Sequence, residues 1–174
     1  QKLDHHWSSR GSLIAAKAVA DYVKANVKLS AIPEVQFDLK AQAPETYQES
    51  SLLPRLPIAE RSKYKPEAFV PYELVRKSPQ ASLIGDNQAQ IVLVGSSASK
   101  GERQWPFEYG LPHYLSREVS NAAQAGRGPW LPMEDYLRNI AFQASPPKVV
   151  IWQLWEAFLL DVDQAELPKD WMLN

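Results

Sequence analysis

Apolar residues recur along this chain with two different periods, and the periods divide it into elements. Over residues 8–29, Ala16, Val19, Tyr22, Val23 and Val27 recur at helical spacing behind Ser8 and Ser9. Either serine can cap an N-terminus, so an amphipathic helix is predicted. Residues 34–39 alternate well enough for a short strand. From 40 to 87 the order weakens, because Pro44, Pro54, Pro57, Pro66, Pro71 and Pro79 interrupt any long element. This stretch reads as an irregular insertion of short helical turns and surface loop, placed near a functional face.

Regular patterning resumes after Asp86-Asn87. Residues 90–94 form a nearly continuous apolar run, as expected of a strand buried on both faces. A helix is predicted over 106–117, then a short strand at 119–121 and a glycine-containing loop to Pro129. A second helix follows over 132–144, a second buried strand over 148–152, and a partly apolar tail. Strands and helices that alternate with short connections predict an α/β fold, a parallel sheet covered by helices.

Composition narrows the classes. A chain of 174 residues suits one domain with a sizeable core. With 19 basic and 20 acidic residues, there is no charge bias toward nucleic acid or an anionic membrane surface. No apolar run has the length of a bilayer span, and no leader peptide is visible. Gln1-Lys2-Leu3 does not read as a natural start, so the chain is expected to be a fragment lacking its upstream part. The absence of cysteine excludes disulfides and thiolate chemistry and fits cytoplasm or periplasm alike. Six tryptophans and 14 prolines are many for this length. Tryptophan offers flat apolar faces for sugar rings, although most tryptophans in a small domain pack in the core.

Three constellations carry candidate chemistry. Gly95-Ser96-Ser97-Ala98-Ser99 directly follows the first buried strand, at the sheet edge where ligands gather in open α/β folds. A glycine there permits a sharp turn, and a serine two residues on can stand exposed beside free backbone N–H groups. The same residues also suit a plain capped turn. Asp4-His5-His6-Trp7 offers a base for a hydroxyl nucleophile, with Asp4 and His6 on one side of an extended segment. Metal ligation and an ordinary polar segment compete with that reading. Metal is disfavoured, because His113 is the sole further histidine and no other ligand cluster is evident. In the third, residues 119–129, Asn121 and Gly126 lie where a strand enters a small-residue loop. Taken alone, it is an ordinary turn.

Together these blocks resemble the SGNH hydrolase superfamily, and within it the alginate O-acetylation (AlgX/AlgJ-like) branch. Asp4-x-His6-Trp7 matches that branch's D-x-H-W signature, and Gly95-Ser96-Ser97-x-Ser99 matches its nucleophile block. Asn121-Ala122-Ala123, Gly126, Gly128-Pro129, Leu131-Pro132-Met133 and the run 146–152 complete the ordered set, while residues 31–90 lie outside it. The resemblance implies a three-layer α/β/α sandwich with a parallel central sheet. It implies Ser97 as nucleophile, His6 as general base and Asp4 as its orienter. Gly126, Ala98 and Asn121 would serve the oxyanion and substrate, and Trp7, Trp105 and Trp130 would flank the cleft, with Trp152 in the core. Where the superfamily has Gly-x-Asn-Asp, this chain reads Gln153-Leu154-Trp155-Glu156, so the usual asparagine donor is missing or replaced. The implied activity is transfer of an acetyl group through acetyl-serine to a bacterial exopolysaccharide such as alginate. An acetylesterase, or a silent polysaccharide-binding or assembly subunit, is the alternative. No cofactor is implied. The implied partners are a polysaccharide acceptor and a membrane O-acyltransferase that hands over the acetyl group, in the periplasm.

Overall fold

The computed structural model describes residues 4–47, 51–77, 89–100 and 104–160. The end of the expected insertion (78–87) and most of the apolar tail lie outside the described residues. In chain order the elements are α1 (Ser9–Asn26), β1 (Phe37–Ala41), β2 (Glu45–Tyr47), α2 (Ile58–Arg61), β3 (Glu67–Phe69), β4 (Tyr72–Arg76) and β5 (Ile91–Val94). They continue with α3 (Phe107–Leu115), β6 (Ser120–Asn121), α4 (Leu131–Arg138), α5 (Ile140–Ala144) and β7 (Val149–Trp152).

β5 is central to a parallel sheet, with β6 on one side and β7 on the other. Its four apolar residues are all buried, and alternation divides them between two cores. Ile91 and Leu93 pack with Ala16, Ala20, Leu111 and Leu115 of α1 and α3, whereas Val92 and Val94 pack with Met133 of α4. Helices therefore cover both faces of the sheet, which is the layering of an α/β/α sandwich. On the first face α1 and α3 lie close: a methyl group added at Gly110 would come within 2.7 Å of Ala16 Cβ.

Several expectations change on this structure. Ser8 caps α1 by accepting from Gly11 N, but the buried face runs through Ser12, Ala16, Ala20 and Val23. Tyr22 stands about 100° around the helix from Val23, in solvent. The 132–144 helix is two helices, because Asn139 turns extended (φ −67°, ψ 133°) and its side chain caps α5 at Ala141 N. The second strand is not buried throughout. β7 has one neighbour among the described strands, and Val150 is exposed.

The middle of the chain holds two antiparallel ribbons in place of loops. β1 pairs with β4 and β2 with β3, and both partners in each pair are set far apart in sequence. Pro44, Pro66 and Pro71 stand at the margins of these strands, where no ladder N–H is required. This segment brings Tyr47 of β2, and Ser51, to the N-terminal Asp4.

Candidate active site

β5 ends at Val94, and the chain turns through Gly95 and Ser96 into a short 3-10 turn, Ser97–Ser99. Ser97 stands there, half-buried, at the carboxyl edge of the sheet. The segment before α1 lies across that edge. Ser97 Oγ is 2.8 Å from His6 Nε2, and His6 Nδ1 is 2.6 Å from Asp4 Oδ1. Asp4 Oδ1 also accepts from the His6 backbone N–H at 2.8 Å. An ionised carboxylate only accepts, so His6 carries its proton on Nδ1 and its bare Nε2 accepts from the Ser97 hydroxyl.

The other oxygen of Asp4 is held by the middle of the chain. Tyr47 Oη donates to Asp4 Oδ2 at 2.9 Å, and Ser51 N–H donates to it at 3.1 Å. Burial pushes the Asp4 carboxyl up. The hydrogen bonds from the His6 and Ser51 backbone and from the His6 and Tyr47 side chains outweigh that and hold it well below the usual carboxylate range. Nothing in the sequence pattern pointed to Tyr47 or Ser51, which lie in the stretch read as insertion.

The three expected tryptophans part company. Trp7 lines the cavity, and its Nε1–H is fixed on Ala98 O at 3.1 Å. Trp105 is not open to a ligand. Its ring stacks on His6 with centroids 4.1 Å apart, Nε1–H donates to Ser97 O at 3.1 Å, and the residue is only 5% exposed. It is a wall behind His6. Trp130 packs edge-on against Trp152, 5.5 Å away, and is not among the residues that line this cavity. The exposed tryptophan of the site is Trp155, which with Leu154 and Phe158 forms one side of the cavity. Its position just beyond the carboxyl end of β7 was the available signal.

Asn121 is likewise a brace and not a cavity group. Its Nδ2 donates to Ser99 O at 2.7 Å and contacts Glu108, while its Oδ1 accepts from Ala123 N at 2.9 Å. Burial raises the Glu108 carboxyl, against the opposing pull of Asn121, Lys100 and Tyr109. Ala98 and Gly126 both line the cavity, and Gly126 has the positive φ of 73° that favours glycine.

Gln153 is the residue that the family pattern left open. Its Oε1 accepts from Ser96 N (3.3 Å), Ser96 Oγ (3.4 Å) and Ser99 Oγ (3.1 Å). A backbone N–H can only donate, so the oxygen faces the Ser96–Ser99 turn and the Nε2 amide is left for the cavity, which Gln153 also lines. The cavity measures about 590 Å³.

Asp4, His5 and His6 bring three metal-type ligand atoms within 4.8 Å of one another. Hydrogen bonding already employs Asp4 Oδ1 and both Nδ1 atoms, which accounts for the cluster without an ion. Burial, with His6 and Arg55, pushes the His5 imidazole below its ordinary value against the pull of Asp4. No helix among the described residues is long and apolar enough to cross a membrane.

Comparison with known proteins gives this geometry its context. Residues 1–156 match the family model described as "SGNH hydrolase-like domain, acetyltransferase AlgX". The "Probable alginate O-acetylase AlgJ" of Pseudomonas syringae pv. tomato is 32% identical, over 98% of this chain and 45% of that protein. Its counterpart in Azotobacter vinelandii is 29% identical, again over 98% and 45%. The solved O-acetyltransferase domain of Pseudomonas putida AlgJ superposes with a TM-score of 0.77 at 29% identity, covering 90% of this chain and 52% of that one. The chain thus spans less than half the length of the curated relatives it matches. With nine-tenths of its length inside one family model, it belongs to the SGNH hydrolase-like AlgX acetyltransferase family.

Proposed function

We propose that this chain is the catalytic portion of a serine O-acetyltransferase that acetylates a bacterial exopolysaccharide, alginate being the acceptor its relatives' names suggest. The observation that carries the reading is the unbroken chain of contacts from Ser97 Oγ through His6 to Asp4. It sits in a cavity that Ala98, Gly126 and Gln153 also line.

In the first half-reaction Ser97 Oγ attacks the carbonyl carbon of an acetyl ester or thioester, and its proton passes to His6 Nε2. Negative charge gathers on the carbonyl oxygen. The backbone N–H groups of Ala98 and Gly126 and the Gln153 Nε2 amide are the candidate donors to that oxygen. As the tetrahedral adduct collapses, His6 returns the proton to the departing oxygen or sulfur, leaving acetyl-Ser97 and the free donor alcohol or thiol. In the second, His6 takes the proton of a sugar hydroxyl, whose oxygen attacks the acetyl carbon. Ser97 Oγ departs and recovers the proton, and the sugar leaves acetylated. Asp4 keeps the imidazole in the Nδ1–H tautomer and stabilises the imidazolium. A membrane O-acyltransferase as the source of the acetyl group, and a periplasmic location, follow the same family reading.

The test is mass spectrometry after incubation with 4-nitrophenyl acetate, before and after addition of an alginate oligosaccharide. The expected result is an acetyl adduct on Ser97, absent in Ser97→Ala, that moves to the oligosaccharide. Discharge to water alone would make the protein an esterase. No adduct at Ser97 would overturn the triad assignment and leave a binding subunit.

A further inference from the structure

A pair of side chains beside the triad has no part in those steps. His5 Nδ1 lies 2.6 Å from Ser51 Oγ, and the same oxygen accepts from the His5 backbone N–H at 3.2 Å. The His5 ring lies 4.0 Å from the His6 ring and 5.6 Å from that of Trp155, and it lines the cavity that holds Ser97.

Proton counting allows this pair two wirings. A serine hydroxyl has one hydrogen and two lone pairs. One lone pair of Ser51 Oγ takes the His5 N–H. When the hydroxyl hydrogen points at Nδ1, every group in the pair is satisfied and the imidazole keeps its own proton on Nε2. In the reverse wiring, Nδ1–H on Oγ, both lone pairs are filled and the hydroxyl hydrogen turns to solvent, which reaches this exposed pair. In the first wiring the two neighbouring imidazoles carry opposite tautomers. His6, tied to a carboxylate, offers a bare Nε2. His5, tied to a hydroxyl, offers Nε2–H.

We infer that His5, fixed by Ser51, is the hydrogen-bond donor on the acceptor side of the site: its Nε2–H binds an oxygen vicinal to the hydroxyl that His6 deprotonates. The ligand class is a vicinal diol of a sugar ring, which can engage both imidazoles at once, where a simple alcohol engages only His6. His5 forms and breaks no covalent bond and keeps its proton throughout. The inference rests on the acyl-transfer reading above.

The experiment has two arms on the whole chain. In the first, long-range nitrogen–proton NMR of histidine-labelled protein at neutral pH reads each tautomer directly. Nε2–H on His5 and Nδ1–H on His6 are expected, with Ser51→Ala moving His5 toward a mixture and Ser51→Thr restoring it. A proton on His5 Nδ1 in the unaltered protein would overturn the inference. In the second, Ser51→Ala and His5→Phe are each assayed with 4-nitrophenyl acetate as donor. The acceptor KM for an alginate oligosaccharide is expected to rise about tenfold, the loss of one hydrogen bond, and by clearly more than the rate of Ser97 acetylation changes. Transfer to ethanol should not share that rise, and Ser51→Thr should recover it. Equal loss on oligosaccharide and ethanol would also overturn the inference. Failure of Ser97 to acetylate at all in the unaltered protein would instead refute the proposed function, and the tautomer arm would still stand by itself.

Discussion

Gly95→Ala tests whether the turn that carries Ser97 is clasped by Gln153. A Cβ at this buried position would lie 2.9 Å from Gln153 Oε1, 2.9 Å from Ser99 Oγ and 3.1 Å from Gln153 Cβ. The first two distances are shorter than real contacts allow, so Gln153 or the turn must move. Overpacking of this kind costs about 1–3 kcal/mol. Displacing the amide also strips a partner from the buried Ser99 hydroxyl, for about 1 kcal/mol more. A destabilisation of about 2–4 kcal/mol is therefore expected, read as a lower urea midpoint at unchanged slope. Acetylation of Ser97 should fall further than stability does, since a shift of about 1 Å in a reacting group can cost roughly a hundredfold. Gly126→Ala is the contrast. Its Cβ would meet nothing within 4 Å, so only the positive φ is penalised, by about 1–2 kcal/mol. The decisive variant combines Gly95→Ala with Gln153→Ala. Removing the side chain that blocks the new methyl should make the pair less damaging than the sum of its parts. Strict additivity, or a Gly95→Ala protein as stable and active as the parent, would show that Gln153 does not press on this turn.

Asp4 makes a pH prediction with a definite sign. Its folded-state pKa is depressed, so its contribution is fully present above the unfolded carboxyl value of about 3.9 and is lost as pH falls below it. The stability gap between the parent and Asp4→Asn, from denaturant unfolding, should be widest near neutral pH and narrow below about pH 4; a gap that widens in acid would refute the assignment. For Trp105→Ala, the buried ring stacked on His6 predicts a loss of about 3–5 kcal/mol in stability, with acetylation reduced through the freed imidazole. A Trp105→Ala protein that kept its melting temperature and lost only sugar affinity would return this residue to the cleft wall.

The difference between what the chain's pattern discloses and what it conceals follows from where each contact is made. β5 is legible because four consecutive apolar residues have no half-exposed alternative, and both of its faces are indeed covered. The Asp4-x-His6 pair is legible as a motif but not through alternation, since residues 4–6 form a bend and His5, which alternation would turn away, lines the same cavity. β2 and β3 are not, since three-residue strands carry too few positions to show a period and owe their existence to pairing across some twenty residues. Trp105 and Trp155 look alike in sequence, as indoles near loops. Only the fold decides that one is covered by His6 and the other stands in solvent. The same reasoning changes the status of the middle of the chain. Asp4 has two oxygens, and the local segment satisfies just one of them. A buried carboxylate oxygen without donors would raise the carboxyl pKa and weaken its hold on His6. Tyr47 and the Ser51 N–H supply those donors from the segment read as insertion, which the family match over residues 1–156 includes. The ribbons between α1 and β5 thus help to hold Asp4, and changes that loosen the pairing of β2 with β3 should be felt at His6 before they are felt in the sheet.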